Sequence, residues 1–137
     1  MAAITPATNK EVIYSDFTSN FTKHPVKNDL VRVTNEESVK KSIINILQTD
    51  YYERPMRPRF GANLRQFLFE QITPVTLSAI KTSVAAAIIN YEPRAEVIDI
   101  VVSSTTPNQV DITVTFALIN SLDPITLTTT VALDRVR

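Results

Sequence analysis

Cysteine and tryptophan are absent from this chain, and glycine and histidine occur once each. Without cysteine there is no disulfide framework and no thiolate chemistry. A single glycine cannot build a glycine-rich phosphate cradle. The one histidine, His24 beside Pro25, has no second imidazole with which to share a metal, and metal-ligand spacing is missing throughout. An excess of charge is missing too. Fourteen basic and fourteen acidic residues cancel, so no global field draws the chain to nucleic acid or a membrane surface. No apolar run approaches the roughly 18 residues of a membrane span, and the N-terminus lacks a charged-then-apolar leader pattern. These absences predict a soluble protein of a reducing compartment, with no cofactor and no metal. At 137 residues the chain is expected to form a single domain over 1–137 with a real core.

What is present is arginine and proline in two compact motifs. The first is Glu53-Arg54-Pro55-Met56-Arg57-Pro58-Arg59-Phe60, closed by the lone Gly61. The second is Tyr91-Glu92-Pro93-Arg94. Each sets an acid and an arginine around a proline, which stops a helix and pushes the residue before it toward extended geometry. An arginine held in such a turn offers a planar fork of donors suited to carboxylates or backbone carbonyls. A helix stop with a stabilising ion pair accounts for one such motif; two in one small domain ask for more. Gly61 predicts a positive φ or a close backbone approach.

Around these motifs the apolar spacing orders the chain. Residues 1–28 are mostly polar, with isolated anchors such as Val12, Tyr14, Phe17 and Phe21, and read as an extended N-terminal arm. A short strand follows near Leu30–Val33. Thr34 and Glu37 are spaced as a capping box, and Val39, Ile43, Ile46 and Leu47 predict a helix over 36–48. Asn63 is placed to cap a short helix carrying Leu64, Phe67 and Leu68. Thr73-Pro74 opens a longer helix with a hydroxyl cap and a first-turn proline, whose stripe runs Leu77, Ile80, Val84, Ala87, Ile88 and Tyr91 until Pro93. Beyond Arg94 the period becomes two. Ile98, Ile100 and Val102 form one apolar face, Val110 to Leu118 a second, and Ile125 to Leu133 a third. Breaks at Thr106-Pro107-Asn108 and Leu122-Asp123-Pro124 separate these strands. The pattern is α+β, with helices packed on one face of a C-terminal antiparallel meander of three or more strands. The last strand has no charge until Asp134 and no evident sequence partner, so it predicts an open edge, a template for β-augmentation.

Chemistry finds little to use here. Glycoside hydrolysis needs two carboxylates flanking a bond, and Glu53 and Glu92 could be nominated. Arginines beside each would hold them ionised rather than raise them for acid catalysis. Arg54, Arg57, Arg59 and Arg65 with Tyr51, Tyr52 and Phe60 resemble the basic-aromatic mixture of single-strand binders, against the neutral balance of the whole. The same residue types anchor protein interfaces, and that reading is preferred.

Taken in order, Ile46-Leu47-Gln48-Thr49, Glu53 to Pro58, Phe60-Gly61, Leu64, Leu68-Phe69-Glu70, Thr73-Pro74 and Glu92-Pro93-Arg94 resemble the small baseplate wedge proteins of contractile-tailed phages. Relatives occur in type VI secretion baseplates and other contractile injection machines, and some are mislabelled as lysozymes. One departure is Arg59, where the family commonly carries an acid before Phe-Gly. The resemblance implies a non-enzymatic component of the virion tail baseplate, assembled in the host cytoplasm. Its partners would be other wedge proteins and the tail sheath protein, with no nucleic acid, membrane or small-molecule substrate. Partner binding falls to Glu53, Arg54, Pro55, Arg57, Phe60, Gly61, Glu92, Pro93 and Arg94, and sheath docking to the edge strand at Thr126, Thr128 and Thr130. A type VI secretion baseplate is the alternative.

Overall fold

The structure, a computed structural model, describes residues 12–18, 20–106, 109–119 and 126–134. Two compact units divide the chain, residues 1–38 and 39–137. The first eleven residues of the expected arm, Pro107-Asn108 and the Leu122-Asp123-Pro124 break lie outside the described residues.

In the first unit, β1 (Ser15–Phe17) pairs antiparallel with β2 (Arg32–Thr34). A strand thus stands within the segment that polarity marks as an arm. Three residues with one apolar anchor are too few to display an alternation. His24 serves the intervening loop: its Nδ1 accepts the amides of Val26 and Lys27 at 3.2 Å. Asn35 is not helical in its backbone, with φ 47. Its carboxamide oxygen accepts the amides of Ile13 and Tyr14 at 2.9 and 3.1 Å, so it ties the residues just before β1 to the start of α1 (Asn35–Gln48).

In the second unit, α1 buries Val39, Ile43, Ile46 and Leu47 completely or nearly so, the expected i, i+4, i+7, i+8 stripe. A 3₁₀ helix, Leu64–Phe69, follows the arginine-proline loop. Asn63 precedes it in left-handed backbone, φ 48, but its amide donates to Gln66 at 2.9 Å instead of capping. Then α2 (Pro74–Tyr91) starts as its sequence dictates: Thr73 accepts the Thr76 amide and Pro74 occupies the first turn. Thr76, Ile80, Val84, Ala87 and Ile88 are its buried face.

The sheet is antiparallel with order β3-β4-β5, comprising β3 (Ala95–Thr106), β4 (Gln109–Leu118) and β5 (Thr126–Asp134). Helix α2 packs against β3, giving the α+β layering. In β4 every second residue is buried, from Val110 through Ile112, Val114 and Phe116 to Leu118. In β3 the alternation is broken. Val97 pairs with Phe116 and Asp99 with Thr115, so Ile98 is an extra residue, a β-bulge. Ile98 is thrown outward, 56 % exposed, while Ile100 is buried. The expected inward trio of Ile98, Ile100 and Val102 is corrected on that account: Ala95 and Val97 face inward before the bulge, Ile100 and Val102 after it.

Candidate partner-binding site

The arginine-proline loop is built on one close approach. Gly61 is buried at φ +114, and a Cβ there would sit 2.2 Å from the Thr49 carbonyl oxygen. Only glycine lets the loop return so tightly to the end of α1. The Ala62 amide then bonds the Ile46 carbonyl at 3.2 Å, and the Ser83 hydroxyl of α2 donates to the Ala62 carbonyl at 2.9 Å. Within the loop, Tyr52 N–H bonds the Pro58 carbonyl at 2.7 Å, and the Arg57 and Phe60 amides bond the carbonyls of Arg54 and Arg57 at 3.0 Å. Pro55 and Pro58 fix φ between these turns. The loop's backbone is pinned by these bonds.

Its side chains divide into two groups. Arg54 is committed, its guanidinium carbon 4.2 Å from the Phe60 ring centroid in a cation–π stack. Phe60 lies 4.9 Å from Tyr91 in a tilted pair, and the Tyr91 hydroxyl donates to the Arg59 carbonyl at 2.5 Å. Glu53 turns back on the loop's start, accepting the Asp50 amide at 3.1 Å, and Arg65 pairs with Asp50 at 3.2 Å. The other group faces solvent: Met56 is 94 % and Tyr52 81 % exposed, with Arg57 and Arg59 exposed beside them.

The second motif begins where α2 must stop. Glu92 N–H closes the last turn on the Ile88 carbonyl at 2.8 Å, and Pro93 prevents another. The Ala95 amide bonds the Glu92 carbonyl at 3.2 Å, and Ile119 bonds the Arg94 carbonyl at 2.9 Å, tying the turn to the end of β4. Arg94 meets Glu92 as a fork, Nε to Oε1 at 2.5 Å and Nη2 to Oε2 at 2.7 Å. The Ser42 hydroxyl of α1 also bonds the carboxylate. Glu92 is only 2 % exposed. Burial presses its carboxyl upward, but the Arg94 hydrogen bonds and charge with the Ser42 bond outweigh it, holding the group below the usual carboxylate range. The hydrogen-bonding edges of Glu92 and Arg94 therefore meet each other, joining α1, α2 and the sheet.

The two motifs adjoin through Tyr91, which sequence spacing places in the α2 stripe and which instead bridges to the loop. No sequence signal separates a core tyrosine from a bridging one at a helix end; the decisive feature is the hydroxyl's reach to Arg59. A cleft of about 570 Å³ brings Glu53 and Arg65 together with Leu64, Leu68 and Leu133 of β5. The C-terminal end of the predicted edge strand thus lies beside the loop's base. Thr126, Thr128 and Thr130 pair in backbone register with Ala117, Thr115 and Thr113 of β4, and their side chains lie outside the described residues. Among the described residues no strand pairs with the far side of β5. Among them also, no group of three or more His, Asp or Glu is placed to hold a metal, and no helix is long and apolar enough to cross a membrane.

The family model described as baseplate wedge protein gp25 matches residues 33–122. The baseplate wedge protein gp25 of Enterobacteria phage T4 is 34 % identical over 88 residues, which span 64 % of this chain and 66 % of that protein, just under two thirds of its length. A solved structure from Geobacter sulfurreducens, described as a candidate tail lysozyme, superposes with a TM-score of 0.67 at 27 % identity, covering 74 % of this chain and 92 % of that one. A chain of the anti-feeding prophage baseplate shares the fold, with a TM-score of 0.69 at 24 % identity over 80 % of this chain and 89 % of that one.

Proposed function

The chain belongs to the baseplate wedge protein gp25 family, and from that premise we propose that it is a structural component of a contractile-tail baseplate, located in the virion tail. It binds neighbouring wedge proteins through the composite surface of the arginine-proline loop and the Glu92–Pro93–Arg94 turn. It starts the tail sheath by offering the outer edge of β5 to a sheath strand. Glu92 and Arg94 serve binding by holding the platform in shape, while the loop presents the contacts.

The observation that carries this reading is the rigid loop of exposed Arg57, Arg59, Tyr52 and Met56 joined through Tyr91 to the turn. Such residue types are favoured at protein interfaces. A non-enzymatic role is supported by Glu92, whose buried, paired and acid-shifted carboxylate is the opposite of a general acid. Edge docking is supported by the order β3-β4-β5 and by the absence of charge from Thr126 to Leu133.

The reading is tested in purified tails of the particle whose genome encodes the chain. The chain is expected among the baseplate proteins, and the purified protein is expected to release nothing from peptidoglycan. Its absence from the baseplate, or turnover abolished by Glu92→Gln, overturns the proposal. For the edge, adjacent backbone amides of a strand point to opposite sides, so Thr128→Pro and Thr129→Pro form a pair. One breaks the β4 ladder; the other is expected to fold normally and block sheath growth. Normal sheath on both excludes the edge as the docking site.

A further inference from the structure

Six charged residues lie between Asp50 and Arg65, four arginines and two acids. Four of the six are committed within the protein. Arg54 stacks on Phe60, Arg65 pairs with Asp50, and Glu53 accepts the Asp50 amide. Arg57 and Arg59 are the remainder, and their guanidinium groups have no acid or carbonyl partner among the described residues. They share the loop with Met56 and Tyr52, which are almost wholly in solvent. The backbone beneath is pinned by the Tyr52–Pro58, Arg57–Arg54 and Phe60–Arg57 hydrogen bonds and by Tyr91 on the Arg59 carbonyl. Little backbone entropy is therefore left to lose on binding.

We propose that this crest docks a protein segment carrying at least two carboxylates together with apolar side chains. The inference rests on the baseplate reading and names the chemistry of the partner that reading requires. Two unpaired forks match two carboxylates bidentately. A thioether and a phenol exposed on the same loop supply an apolar contact, so the complementary surface combines carboxylates with apolar side chains. Arg, Tyr and Met together are a protein-interface combination. Nucleic acid fits less well, because Asp50 and Glu53 stand at the loop's base and the chain as a whole is neutral. A phosphate track needs a continuous run of positive charge.

The experiment uses the full chain assembled with the other tail proteins of its own particle. A photo-crosslinking residue replaces Met56, and the linked peptide is identified by mass spectrometry. In parallel, Arg57→Glu/Arg59→Glu is scored for incorporation into baseplates, with its melting temperature as a check of folding. The expected results are a cross-link to an acidic protein segment and at least a tenfold loss of incorporation without a change in melting. Both arginines are exposed, and should the reversal unfold the chain, the Met56 cross-link decides alone. A cross-link to nucleic acid, to a segment without carboxylates, or to nothing in assembled particles overturns the inference. So does a folded reversal variant that incorporates normally. If the wild-type chain itself does not enter baseplates, the failure lies instead with the proposed function.

Discussion

Removing the Arg94 guanidinium leaves a carboxylate inside the protein with its main partner gone. Glu92 is 2 % exposed and Arg94 30 % in their side chains. Breaking a buried pair by deleting one member costs roughly 3–5 kcal/mol, because the survivor is an uncompensated buried charge. The partial exposure of Arg94 places Arg94→Ala at the low end, about 3 kcal/mol at pH 7. For a domain of this size that lowers the melting temperature by about 10 °C. Glu92→Gln is milder, about 1–2 kcal/mol, since Arg94 keeps access to water and the amide keeps an acceptor. The double variant is expected to cost less than the sum.

The pH dependence separates this cause from a mere loss of packing. In the wild type the Glu92 pKa is lowered below its ordinary 4.5. Its contribution to stability is therefore complete above that value and is lost as pH falls through the lower folded value. In Arg94→Ala, burial, the largest single influence, is opposed only by the Ser42 bond and the backbone bond from residue 94, so the folded pKa is expected to rise above the unfolded one. Protonation then relieves the penalty: stability grows on acidification from pH 7 and is lost as pH rises through the raised value. Thermal melts of both proteins between pH 7 and pH 4.5 are the assay. A variant that melts within about 2 °C of the wild type, or shows the wild-type acid response, refutes the reasoning.

Gly61→Ala forces a Cβ against the Thr49 carbonyl at an unfavourable φ; it is expected to cost about 3 kcal/mol or more, read by urea denaturation. Among the described residues the buried Ser38 hydroxyl has no hydrogen-bond partner, so Ser38→Ala is expected to hold or raise stability, by up to about 1 kcal/mol. Tyr91→Phe removes the bond to Arg59 at about 0.5–1 kcal/mol, and faster amide exchange confined to residues 52–60 is the readout.

Local rules carried much of the architecture into the sequence. Thr73 and Pro74 start α2 and Pro93 stops it because cap geometry and a missing N–H act over one turn. The strict alternation in β4 is legible because one face must be dry. Gly61 announces its strained return because no other residue tolerates it. Tertiary structure decided what depends on partners far along the chain. The bulge at Ile98 follows from register against Phe116 and Thr115, which the local alternation does not contain. Asn35 takes left-handed backbone at the start of α1, and its side chain accepts the amides of Ile13 and Tyr14 from far back along the chain. The acid and arginine of the second motif are legible as a pair, but their burial is not. That burial requires α1 to bring Ser42 and β4 to bring Ile119 to the same turn. The joining of the two motifs is likewise a long-range contact, Tyr91 to Arg59, set by how α2 packs rather than by the residues on either side of it.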